Sequence, residues 1–175
     1  MGLLDRLPLE DLAPARVWSE LDADTRRQAA ESLYRGEASG EAGRSHADLA
    51  IAARLRFRAI AVRRLPVDRR IGYLVTQVRP DDSLASSLLL ALHLDRRRPL
   101  LRSFLTQLGI PHEDGLIRDD HDLHPPETER LEAAASGAYR DHPEDEVDLY
   151  LASLLAMDGE AWGGLRCVLR GRASA

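Results

Sequence analysis

Ile71-Gly72-Tyr73-Leu74-Val75-Thr76-Gln77-Val78-Arg79-Pro80 decides the fold class. Ile71, Leu74, Val75 and Val78 recur at i, i+3, i+4 and i+7, which places four apolar side chains on one stripe of an α-helix and on no single face of a strand. Pro66 opens this helix and Pro80, which cannot donate to the helical ladder, stops it.

The pattern extends outward in both directions. Asp81 or Asp82 caps a following helix with Leu84, Leu88 and Leu92 at four-residue spacing, and Pro99 starts another with Leu101, Phe104, Leu105 and Leu108 inward. Gly109-Ile110 is the glycine-plus-apolar ending of a Schellman-type cap. Upstream, Ser45 and Asp48 resemble a capping box, and a helix over 45–65 carries Ile51, Leu55 and Val62 on one stripe. Leu55-Arg56-Phe57-Arg58-Ala59 alternates as a strand would, but the phase shifts at Ala59–Val62, which a strand with one buried face should not do. A helix this apolar all round predicts a central position with limited solvent contact.

Pro8 and Pro14 suit first turns of short helical pieces. Asp22 or Asp24 caps a helix ended by Gly36, and further helices are expected over 126–140, 143–157 and 161–170. The expectation is an all-α fold: one domain, 1–175, holding a single compact array of about eight helices, as an irregular bundle or short solenoid-like hairpins. Residues 36–44 read as a flexible loop, 111–126 as an irregular His/Asp-rich loop, and 171–175 as a frayed tail.

Composition supports helices. The apolar residues are mostly Leu, Ala and Val, with two Phe and two Trp. One cysteine, Cys167, excludes an internal disulfide, and Trp162, Leu165, Val168 and Leu169 around it predict a buried, inert thiol. The N-terminus lacks the apolar core of a signal peptide, and no apolar run approaches the ~20 residues of a membrane span. The expected place is the cytoplasm, with no membrane contact. All 24 basic residues are Arg, the coding bias of a GC-rich, bacterial genome. Residues 1–43 carry 5 Arg and 9 acids, 44–102 carry 13 Arg and 5 acids, and 103–175 carry 6 Arg and 15 acids. The basic middle either pairs with the acidic ends or faces an anionic partner.

Two groups of residues could carry chemistry. His112, Asp114, Asp119, His121, Asp122 and His124 are imidazoles and carboxylates that a loop could wrap around a divalent metal. His121-Asp122 resembles the dipeptide of the helical HD phosphohydrolases. That family holds the pair on a helix, which Pro125 and Pro126 disfavour here, so it is not assigned. Arg96, Arg97 and Arg98, at a helix junction before Pro99, form a candidate anion site. The net charge of −5 and the lack of a helix-turn-helix or aromatic strand pair argue against nucleic acid. No P-loop, dinucleotide fingerprint or nucleophile elbow is present, which favours a non-enzyme and leaves the enzyme question open. Trp18, Tyr34, Tyr139 and Tyr150 are core residues or interface anchors. The functional expectation is a protein-interaction or scaffold module, with a protein partner or a second copy; the alternative is a metal-binding protein or metal-dependent enzyme using 112–124.

Overall fold

A computed structural model describes residues 2–117 and 124–173. Its ten α-helices are α1 (Pro14–Glu20), α2 (Ala23–Arg35), α3 (Glu41–Leu55), α4 (Ala59–Arg63), α5 (Val67–Gln77), α6 (Asp82–Arg96), α7 (Arg98–Leu108), α8 (Thr128–Asp141), α9 (Glu144–Met157) and α10 (Leu165–Ala173). Two 3-10 turns, Leu4–Arg6 and Leu9–Asp11, precede α1. The sole sheet among the described residues is a hairpin of β1 (His112–Glu113) and β2 (Leu116–Ile117). The fold class is all-α, as the periodicity requires.

The helices gather into two compact units, residues 21–96 and residues 1–20 with 97–175. In the first, α2 packs on α5 and α6, and α3 packs on α4, α5 and α6. Its core is the stripe read from sequence: Ile71 and Leu74 of α5 and Leu84, Leu88 and Leu92 of α6 are buried, with Leu33 and Ile51 closing the space. One polar cluster sits inside. Asp48 on α3, buried, accepts from Tyr34 Oη at 2.8 Å and from Arg70 Nη1 at 3.1 Å, and the Arg70 guanidinium lies 4.9 Å from the Tyr34 ring centre.

In the second unit, α7 packs on α8, α1 on α9, and α10 on α8 and α9. Phe104 meets Tyr150 edge-on at 5.6 Å and Trp162 at 6.3 Å between ring centres. Trp18, Tyr34 and Tyr150 are thus core residues, and the Tyr139 hydroxyl is satisfied by Asp148 at 2.7 Å.

Helix α2 starts where the sequence indicates. Asp22 caps it by accepting from the Thr25 N–H at 2.8 Å and the Thr25 hydroxyl at 2.7 Å. The first of these bonds does most to hold the Asp22 carboxyl below its ordinary pKa. Asp22→Ala is expected to cost about 1 kcal/mol in urea unfolding. The cap's contribution is complete above the unfolded carboxyl's pKa and fades as pH falls through the lower folded value, so the deficit of the variant shrinks in acid.

Three boundaries differ from expectation. Helix α3 begins at Glu41, so residues 41–44 are helical and Ser45 lies inside the helix, its hydroxyl receiving Arg63 Nη2 at 2.9 Å. The helix expected over 45–65 breaks after Leu55: Arg56 takes a left-handed conformation (φ 57°), and the Phe57 N–H reaches back to Ala52 O at 2.9 Å, closing a Schellman-type cap. An L side chain is strained there, so Arg56→Gly is expected to raise thermal stability by about 0.5–1 kcal/mol; a lowered melting temperature would contradict that geometry. The third difference is the β1–β2 hairpin, which turns through Asp114 (φ 50°) and Gly115 (φ 91°) inside the stretch read as irregular.

Candidate protein-docking surface

Of the three described candidate metal ligands, His112 and Asp114 are committed to other contacts. The Gly115 N–H donates to His112 Nδ1 at 3.2 Å, so the neutral ring carries its proton on Nε2, which meets the Thr106 hydroxyl at 3.0 Å. Asp114 bridges Arg98 at 2.6 Å and Arg102 at 3.3 Å, and the Arg98 bond above all holds its carboxyl below the ordinary range. His124 is exposed. Asp119, His121 and Asp122 lie outside the described residues. Among the described residues no three His, Cys, Asp or Glu side chains converge as a metal site would need.

Two of the candidate anion triad, Arg96 and Arg98, are likewise committed, while Arg97 Nη1 is buried without a hydrogen-bond partner among the described residues. Arg96 pairs with Glu31 at 3.1 Å, Arg97 approaches Glu146 at 4.0 Å, and Arg98 holds Asp114. Arg97 is 92% buried, and that burial pulls its pKa below the ordinary value. These are internal ion pairs.

The arginines that find no carboxylate are elsewhere. Among the described residues the side chains of Arg56, Arg58, Arg64 and Arg79 make no hydrogen bond or ion pair; that of Arg54 meets only the Gln77 carbonyl and that of Arg63 only the Ser45 hydroxyl. Over 53–79 the chain carries eight Arg and one acid, and that acid, Asp68, is taken by Arg35. Other arginines of the same unit do pair: Arg27 with Glu31, Arg35 with Asp68, Arg70 with Asp48. The contrast marks 53–64 and Arg79 as a stretch of uncompensated positive charge.

Apolar exposure falls on the same stretch. Phe57 is 47% and Ile60 57% exposed, and Leu49, two turns before Phe57, is 51% exposed. The expected central position with limited solvent contact is corrected accordingly: α3 is buried along Ala47, Ile51 and Ala52, but its C-terminal end and α4 are open to water except at Val62.

Beside this end of α3, a groove of about 790 Å³ runs between α3 and the C-terminal end of α5. Ala50, Ala53, Val75 and Val78 supply its apolar wall, and Arg26, Arg54 and Arg79 its charge; no acidic residue lines it.

No family model, curated protein or solved structure matches this chain. Geometry and chemistry alone therefore carry the functional reading. Cys167 does not enlarge it: Leu165 and Leu169 of α10 are buried, but the thiol two positions after Leu165 faces outward and is exposed, which corrects the expected buried thiol. No helix among the described residues is long and apolar enough to cross a membrane.

Proposed function

We propose that this chain is a protein-interaction module that docks an acidic, partly apolar segment of a partner on the α3–α4 face of its 21–96 unit. One observation carries the reading: exposed Phe57 and Ile60 lie within a stretch whose arginines meet no carboxylate. Aromatic and Arg side chains are the residue types that dominate interface hot spots. Uncompensated guanidinium charge favours a partner of opposite sign and speeds its approach. Exposed Phe and Ile favour a partner that also offers apolar surface.

The direct test is fluorescence anisotropy with a labelled, C-terminally amidated amphipathic helix of Glu and Leu, titrated with the full chain at low ionic strength. The expected result is saturable binding that weakens steadily with added salt, and tenfold or more weaker binding of the same peptide with Gln for Glu. Equal binding of the two peptides overturns the reading. So does tighter binding of single-stranded DNA or of anionic lipid vesicles.

A further inference from the structure

We infer that the groove between α3 and α5 is the anchor site for a carboxylate side chain of the partner, held by the Arg54 and Arg79 guanidiniums above the wall of Ala50, Ala53, Val75 and Val78. The inference rests on the docking reading above and locates its charged contact. Arg54 is the pivot. Its Nε donates to Gln77 O at 2.9 Å, which covers one of the carbonyls at the C-terminal end of α5, an end that repels an anion. That bond uses one edge of the guanidinium and leaves both Nη groups without a partner among the described residues. Arg79 lines the same groove and makes no ion pair or hydrogen bond among the described residues. Two guanidiniums on a wall of small apolar side chains suit a carboxylate carried on a short methylene stem, because Arg forks grip carboxylates in pairs of hydrogen bonds while the stem lies on the wall. At about 790 Å³ the groove has room for one or two side chains. Arg54 and Ala53 stand three to four residues before Phe57 in the chain, a span of at most about 14 Å, so an acidic anchor in the groove and an apolar contact at Phe57 fall within reach of one helical segment.

The test uses the full chain, the amidated Glu/Leu peptide and its Gln-for-Glu counterpart, read by anisotropy. Arg79→Gln is expected to weaken the Glu peptide roughly tenfold, the scale of one charge-assisted hydrogen bond, and to leave the Gln peptide within about twofold. Ala53→Trp fills the groove without altering charge and is expected to remove binding of the Glu peptide. Arg44→Gln, about 14 Å away along α3, is expected to leave it within about twofold. Unchanged affinity in both Arg79→Gln and Ala53→Trp, with Phe57→Ala still weakening the complex, overturns the groove and leaves the docking surface standing. Wild-type chain that does not distinguish the two peptides overturns the docking surface and the groove together. Circular dichroism of each variant separates lost binding from lost fold; if Ala53→Trp is misfolded, the Arg79→Gln result decides alone.

Discussion

Asp48→Ala is expected to destabilise the 21–96 unit by about 3–5 kcal/mol, the cost of removing one partner from a buried ion pair. Asp48 is 3% exposed and is the acceptor for both Tyr34 Oη and Arg70. Its loss leaves a largely buried guanidinium with no counter-charge, and Arg70 Nε already lacks a partner. It also strands the Tyr34 hydroxyl, which burial, first, and then the Asp48 carboxylate keep protonated far above its ordinary pKa. Asp48→Asn keeps an acceptor for Tyr34 and loses only the charge, so its cost should be smaller. Urea unfolding followed by far-UV circular dichroism measures both. A loss under about 1 kcal/mol for Asp48→Ala would show that Arg70 and Tyr34 are well solvated without it.

The comparable effect in the other unit is at Phe104. Phe104→Ala is expected to cost about 3–5 kcal/mol, through lost burial and the cavity left behind. The ring is fully buried, its neighbour Tyr150 stands at 88° to it, and Trp162 lies against it. Edge-on pairs of this kind add about 0.5–1.5 kcal/mol beyond area. Phe104→Leu keeps most of the volume and should cost less. Thermal unfolding read by tryptophan fluorescence checks the pair of variants; similar melting temperatures for Phe104→Ala and wild type would contradict the packing.

Helix α5 was legible because Ile71, Leu74 and Val75 repeat at the helical period, with Val78 just past its end, and because Pro66 caps its start and Pro80 follows its end. Gly109 was legible for a related reason: the left-handed cap it forms (φ 71°) is the conformation glycine adopts most readily. The break at Arg56 was not, because an arginine in that conformation carries no Gly or Pro mark. Its one trace is the alternation from Leu55 to Ala59 and the phase shift after it, which mark the end of one helix and the start of another. The β1–β2 hairpin did carry a mark, since Asp114-Gly115 is a favoured two-residue hairpin turn. The outward face of Cys167 could also have been read, because residues two apart lie on nearly opposite sides of a helix.

The docking surface was half legible. A sequence can count arginines, and the excess over 44–102 was plain. Which of them meet carboxylates depends on contacts far apart in the chain: Asp48 takes Arg70 and Glu31 takes Arg96, whereas Asp68 goes to Arg35, outside that stretch. The first two pairs neutralise arginines that looked as available as Arg54 or Arg79. For the same reason Arg96 and Arg98, in the densest local run, turn out to be internally paired.

The most direct test of the docking surface is where an acidic partner touches the chain. Backbone amide shifts of the isotopically labelled full chain, followed during titration with the Glu/Leu peptide, are predicted to move at residues 49–64 and 75–79. Shifts at Arg98, Arg102 and the β1–β2 hairpin are predicted to stay in place. Movement centred on those arginines, with residues 49–64 and 75–79 unperturbed, would contradict the account.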